Sequence, residues 1–335
     1  MKTNPQQHKS IASLSLDLDN LWSYLKVHGD SGWQTLPSYL DIVVPRFLEF
    51  FQQLNLTITV FIVGQDAACE KNQQALQAIA AAGHEIGNHS FNHDSWLHLY
   101  SEQEIEKEIA IAEEHIERVT GQVPIGFRGP GYSFSPAVLR VLSRRGYQYD
   151  ASTFPTFLGP LARAYYLMTS SKLSKEERSQ RKALFGSFKD GLQPLKPYQW
   201  RIDSDRLTEI PVTTMPIFKI PIHFSYLLFL SVFSPTLALL YFQIALWLCK
   251  LTGTQPSLLL HPTDFLDRED VPELSFFPGM SLHKSQKLAV LSKALKLLSS
   301  QFRVLSVGQH AQLAASVRQL PVLESQPRPI GTEMI

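Results

Sequence analysis

The chain predicts an α/β fold built on a mostly parallel sheet with helical crossovers. Three observations carry that expectation. Short apolar, β-branched runs alternate with helical periods from residue 13 to residue 152, which is how strands joined by crossover helices read. The polar side chains that could do chemistry fall at the C-terminal ends of those runs, where parallel barrels place their sites. The composition is bland: 335 residues, 44% hydrophobic, with a formal net charge of +1. That is enough chain for one large domain or two smaller ones. It gives no electrostatic argument for a nucleic-acid partner.

The first run, Ser13 to Leu18, reads as a buried strand ending in Asp17 and Asp19. Alternate residues share a face of a strand, so both carboxylates can point into one site. Two acids that close are costly without a cation nearby. Asn20 to Pro37 reads as a long loop carrying Trp22, Tyr24, His28 and Trp33, with Trp22 a candidate sugar platform. Leu40 to Leu54 has helical periodicity, with Pro45 expected to kink it or delay its start. Thr57 to Val63 is a second buried strand. Asn72 to Ala82 is an Ala-rich helix stopped by Gly83.

Next come Gly83 to Asn88, a short strand, and His89-Ser90-Phe91-Asn92-His93. Two imidazoles four positions apart can face one point if the segment turns helically. A third ligand, normally a carboxylate, would complete a catalytic metal site with one position open to water. His84 reads as structural. Ser101 to Val119 is a strong helix with a capping arrangement at Ser101 and Glu104. Ile125 to Arg128 is a strand running into Gly129-Pro130-Gly131-Tyr132-Ser133. Ser135 caps a helix to Arg145, with Pro136 in its first turn. Gln148 to Ser152 is the next strand.

Five stretches taken together, Asp17-Leu18-Asp19, His89 to His93, Arg128 to Ser133, Tyr149-Asp150-Ala151-Ser152-Thr153 and Leu258-Leu259-Leu260-His261-Pro262, resemble the motifs of the polysaccharide deacetylases. This is the family of the NodB homology domain, or carbohydrate esterase family 4. The likeness runs from about Ser13 to Val307 and follows the Asp-x-Asp form of the first motif. It implies a distorted (β/α)7 barrel. It implies Asp19, His89 and His93 as ligands of a divalent metal ion, zinc by expectation, Asp17 as general base and His261 as general acid. Arg128 would hold Asp17, and Asp150 would hold Arg128. A backbone N–H in the Gly131–Tyr132 turn would stabilise the oxyanion, so Gly131 and Tyr132 join Trp22 as substrate-binding candidates. The activity implied is removal of an N-acyl group, acetyl by expectation, from an amino sugar. Alternatives are a deformylase or deacetylase of a lipid-linked sugar, an amidohydrolase on a non-sugar C–N bond, and a glycan-binding pseudo-enzyme.

The barrel-like domain is expected over residues 11–315, with an insert at about 155–208 whose charged part, Lys172 to Lys189, reads as an exposed helix, a lid or a surface elaboration. Lys189 to Trp200 reads as an ordered loop, and Glu209 to Thr213 as the next barrel strand. A further segment at about 222–250 is apolar. Its centre, Tyr226 to Leu248, has no charged residue and is long enough for a membrane span. A single crossing would put His261 on the far side from Asp19, so a simple span is rejected. A helix broken at Pro235 remains, either buried in the core or a dimer interface, or lying shallowly on a membrane. Ser281 to Ser299 reads as an amphipathic helix with Lys284, Lys287, Lys293 and Lys296 outside. Phe302 to Val307 is the closing strand, and 316–335 a flexible tail. Cys69 and Cys249 lie far apart without metal spacing, which makes a disulfide framework unexpected and the cytosol the default compartment. Met1 to Ser10 lacks the apolar core of a secretory signal. Cytoplasmic location is expected, with a peripheral position at the inner membrane face as the alternative.

Overall fold

The first strand, β1 (Ile11–Asp17), is the one around which the sheet is laid. In the computed structural model, which describes residues 9–159, 188–317 and 319–325, it is followed by α1 (Leu21–His28), α2 (Leu40–Leu54), β2 (Thr59–Ile62), α3 (Gly64–Ala68), α4 (Gln73–Ala81) and β3 (Glu85–Asn88). Then come α5 (Glu102–Thr120), β4 (Gly126–Phe127), α6 (Pro136–Arg144), β5 (Tyr149–Asp150), and the pair β6 (Tyr198–Ile202) and β7 (Asp205–Glu209). The last part holds α7 (Phe224–Ser231), α8 (Pro235–Thr252), β8 (Ser257–Leu260), α9 (Lys284–Gln301), β9 (Arg303–Leu305), α10 (Val307–Val317) and β10 (Val322–Glu324).

The strand order is β10-β6-β7-β5-β4-β3-β2-β1-β8, with β9 also paired to β1. Among the described strands every pairing is parallel except β6 with β7. After β7 the chain stays extended. Ile210 N–H donates to Asp150 O and Val212 N–H to Thr153 O. Thr213 N–H then donates to Ser257 O at 2.9 Å, and Ser257 N–H to Thr213 Oγ1 at 2.8 Å. Those two bonds join the segment beyond β7 to β8.

Period-two patterning explains what β1 does. Leu14 and Leu16 are buried against the helical layer, in one core with Val43, Val44 and Phe47 of α2, Leu227 of α7, Phe242 of α8 and Leu295 of α9. Ser15 and Asp17 face the other way, toward Arg128. Cutting a leucine of this core to alanine costs about 2–5 kcal/mol. The register Leu16↔Leu260 sets the next residues, Asp17 and His261, side by side at the C-terminal edge.

Several sequence expectations change. Asn20 to Pro37 is not one loop: Asn20 caps α1, its Oδ1 accepting from Leu21 N–H at 2.8 Å. Part of the segment read as a loop at 189–200 belongs to an antiparallel hairpin, which turns at Asp203 in a left-handed conformation. The tail is not loose throughout, since β10 pairs with β6 through Val322↔Gln199, Leu323↔Trp200 and Glu324↔Arg201. Lys287 is not outside. It is 1% exposed, and its ammonium donates to Thr263 O at 2.8 Å and Leu266 O at 2.6 Å, so burial is met by carbonyl acceptors. The helix read at 172–189 falls almost wholly outside the described residues. Pro235 does divide the apolar stretch, standing in the first turn of α8 behind the Ser234 cap.

Candidate active site

At the C-terminal edge of β1 and β3, Asp19, His89 and His93 converge. His93 Nε2 lies 2.9 Å and His89 Nε2 3.4 Å from Asp19 Oδ1. One donor atom from each residue lies within 4.8 Å of the others. The two histidines do not sit on a helix, as the spacing had allowed. Ser90 (φ 61°) and His93 (φ 52°) are left-handed instead, and this folds the loop so that both rings reach Asp19. Such backbone costs energy and persists where neighbours fix it. Here Asn88 Oδ1 accepts from Ser90 N–H at 2.8 Å, and Glu108 of α5 accepts from the Phe91 and Asn92 amides at 3.2 and 2.9 Å.

The donor set fits a divalent metal. Two imidazoles and one carboxylate leave room for a fourth, exchangeable position. His89 Nδ1 lies 2.5 Å from Arg128 O, which sets Nδ1 as the proton-bearing nitrogen and leaves Nε2 for a cation. The cluster is electrostatically poised. Burial pushes the Asp19 carboxyl up, but the charges and hydrogen bonds of His93 and His89 outweigh it and hold Asp19 well below the usual carboxylate range. Burial likewise disfavours charge on His89, yet Asp17 and Asp19 hold that imidazole above its ordinary value.

Asp17 is a separate partner. Its Oδ1 accepts from Arg128 Nη1 at 2.7 Å, and the same nitrogen donates to Ser15 Oγ at 2.7 Å. Arg128 Nε donates to Ala151 O at 2.9 Å. The guanidinium is fully buried over the Phe61 ring, 4.4 Å from its centroid. Asp150 does not hold it by a hydrogen bond. Asp150 Oδ1 accepts from Ser152 Oγ at 2.5 Å, and the carboxyl lies against Glu209. Burial pushes Asp150 up to about 6 and raises Glu209 well above the usual range, so the two behave as a pair with a retained proton. The reason is geometric: β5 ends at Asp150, and the next carbonyl, Ala151, is the one that reaches Arg128.

His261 follows β8. Its Nδ1 lies 3.0 Å from Ser225 Oγ of α7, and its N–H donates to Asp264 Oδ2 at 2.9 Å. A run of rings leads to it: Tyr132 stacks on Phe154 at 4.6 Å, Phe154 lies 5.8 Å from His223, and His223 lies 6.4 Å from His261. Gly129 and Gly131 shape the turn beside this run. A Cβ on Gly129 would meet Ser133 O at 1.9 Å, and Gly131 has φ +58°. Tyr132 N–H is committed to Gly129 O at 2.9 Å, so of the two candidate amides that of Gly131 remains.

Trp22 is not a sugar platform. It is 1% exposed, its Nε1 donates to Asp66 Oδ1 at 3.0 Å, and its edge meets the His93 ring. It is a wall behind His93. His84 is structural, as read: it is buried, and Nδ1 accepts from Ile58 N–H. The sequence reading missed Asp66, which collects Asn20, Trp22 and Asn72 donors and which burial pushes up to about 7. It also missed Glu108, Ser225 and His223. Nothing in a single sequence marks them, because each reaches the site across long chain separations.

Residues 30–149 match the family model described as polysaccharide deacetylase. The chain is 28% identical over 155 residues to a peptidoglycan deacetylase of Helicobacter pylori, covering 46% of this chain and 48% of that one. It is 31% identical over 111 residues to the peptidoglycan-N-acetylmuramic acid deacetylase PdaA of Bacillus subtilis, covering 33% and 41%. The matched part thus spans about half or less of those relatives. Its fold is similar to a Mycobacterium smegmatis structure described as a polysaccharide deacetylase, with TM-score 0.63, 20% identity and 95% of each chain covered. It is also similar to Puue allantoinase, with TM-score 0.59, 16% identity and coverage of 95% and 96%. Residues 30–149 thus carry the match to the polysaccharide deacetylase family, that of the NodB homology domain, and the chain as a whole shares its fold.

Proposed function

We propose that this protein is a metal-dependent hydrolase that removes an N-acetyl group from an amino-sugar residue. The observation that carries the reading is the division of labour at one sheet edge: a three-donor cluster at Asp19, His89 and His93, with the Arg128-held Asp17 and His261 beside it. A divalent cation bound by the three donors, zinc by our reading, supplies polarisation of the amide carbonyl and a more acidic water. Asp17 accepts the proton of the attacking water, and Arg128 keeps that carboxylate aimed. The Gly131 amide donates to the carbonyl oxygen as it gains charge. His261 delivers a proton to the departing nitrogen as the C–N bond breaks. Its Nδ1 contact with Ser225 orients the ring. Acetate and a free amino sugar are the products. Names of relatives that act on peptidoglycan support a glycan or glycan-precursor substrate.

One observation favours a second reading of the substrate. The α7–α8 segment beside His261 carries exposed apolar side chains. A sugar borne on a lipid carrier, acetylated or formylated and met at the inner face of a membrane by a cytoplasmic protein, suits that surface. The test is acyl release. Purified protein, stripped with a chelator and reloaded with zinc, is given N-acetylated and N-formylated amino sugars, free, oligomeric and lipid-linked. Zinc-dependent release of acetate supports the proposal. Release of formate alone shifts it to a deformylase, and no release from any of them overturns it.

A further inference from the structure

We infer that the α7–α8 hairpin is a docking surface for an anionic lipid bilayer. A helix on the surface of a soluble domain turns polar residues outward. Here α8 does the reverse. Ala238, Phe242, Ala245, Leu246 and Cys249 pack inward, while Leu237, Leu240, Ile244, Trp247 and Leu251 are exposed. Their spacing of three and four makes one stripe, about 21 Å long at 1.5 Å per residue. Phe229, Val232 and Phe233 extend it over the turn between the helices, where Phe233 is 76% exposed. The inward residues rule out a crossing, because a span would strip them from the core.

Charge selects the occupant. The chain has no Asp or Glu from 210 to 263, nor from 274 to 323. Four exposed lysines lie on or next to α8. Lys250 is exposed in the last turn of α8, exposed Lys196 lies by Gly253 at that helix end, and α9, packed on α8, exposes Lys293 and Lys296. A second copy docking by the same face in a two-fold dimer would bring these lysines together, with no acid in either helix of the hairpin to pair them. An anionic bilayer receives the apolar stripe in its interface and the lysines at its phosphates. The hairpin also reaches the site, since Ser225 in the first turn of α7 contacts His261. Phe229 to Phe233 lie at the other end of that eight-residue helix. Ser225 and Phe233 are eight residues apart, about 12 Å at helical rise, so docking holds the His261 side of the site close to the docked face.

The test is flotation of the full-length protein with vesicles of phosphatidylcholine alone and of phosphatidylcholine with 30% phosphatidylglycerol. The protein should float with the anionic vesicles at least tenfold better than with the neutral ones, and high salt should weaken it. Trp247 fluorescence should be quenched by lipids brominated on the acyl chain, a readout that needs no substitution beyond a Trp247→Phe control. Leu240→Asp with Phe233→Ser should abolish flotation and leave metal content and hydrolysis of a soluble substrate unchanged. Failure of the wild type to float overturns the inference. So does a dimer in light scattering that Leu240→Asp converts to monomer, which would assign the face to a second copy. Neither readout involves catalysis, so failure here leaves the proposed reaction standing.

Discussion

Two carboxylate clusters lie at opposite ends of the same strands, and they differ in completeness. At the N-terminal end of β3, Glu85 is fully engaged. Its Oε1 accepts from Tyr149 Oη at 2.6 Å and Thr59 Oγ1 at 3.1 Å, its Oε2 accepts from Ser306 Oγ at 2.5 Å, and Gly308 N–H reaches both oxygens. A Cβ on Gly308 would run into that carboxylate, so close approach of backbone is what the glycine provides. At the C-terminal end, the cluster of Asp17, Asp19, Arg128 and the histidines is open. Arg128 Nη2 and His93 Nδ1 are buried without a partner among the described residues. Buried polar groups are normally satisfied, and exceptions need a reason. Glu85 ties strands and α10 together. The open cluster keeps polar atoms that the described residues leave unsatisfied.

The comparison can be broken from either side. The largest expected effect is Asp17→Asn. It keeps the shape and the Arg128 contact but removes the proposed base, so kcat should fall about 10²–10⁴-fold, with bound metal and urea midpoint nearly unchanged. A collapse of stability instead would move Asp17 to the structural side. The second is Glu85→Ala, which leaves three hydroxyls and an amide without their acceptor. It should cost about 3 kcal/mol in urea unfolding while kcat per folded molecule stays near wild type. A large drop in kcat with intact stability would show that the two ends are not separate.

The smallest concerns the Asp150–Glu209 pair, which lies between these two cases. Burial raises Asp150 to about 6, and burial with the Asp150 charge raises Glu209 well above the usual carboxylate range. A carboxyl whose folded pKa is raised contributes stability that is whole below its unfolded value near 4 and is lost as pH climbs through the folded value. Urea midpoints should therefore decline between pH 4 and pH 7 for this pair. Glu209→Gln removes the carboxyl that is itself raised well above the usual range, so the decline should be shallower than in wild type. Parallel curves for the two proteins would mean that the pair shares no proton.

Much of the site was legible because the chemistry sits in short ordered runs at strand ends. Asp17, Asp19, His89, His93, Arg128 and His261 are all brought to one edge, as their positions after apolar runs imply. What stayed hidden depends on long-range geometry. The Asp150 assignment changes in kind: the Ala151 carbonyl takes the hydrogen bond from Arg128, and the carboxylate beside it acts on the guanidinium through charge alone. The aromatic content near Asp19 pointed to a platform, but Trp22 is spent on packing and on Asp66. Lys287 follows the pattern of an outer lysine, yet two carbonyls at the turn after His261 accept its ammonium, and burial lowers its pKa to about 8. A strand of three residues such as β10 has too little pattern to be seen before its partner is known. The apolar stretch was readable as helical, but only the structure shows that Leu240, Ile244 and Trp247 point out rather than in.

The central claim is that Asp19, His89 and His93 form a catalytic metal centre. Its most direct test is metal stoichiometry, by elemental analysis after zinc reconstitution and desalting, on wild type and His89→Ala, read alongside acetyl release. The account predicts one tightly held ion and zinc-dependent acetyl release in the wild type, both lost in a variant that still unfolds cooperatively. A wild type that binds no metal, or a His89→Ala variant that keeps both the ion and the activity, would contradict it.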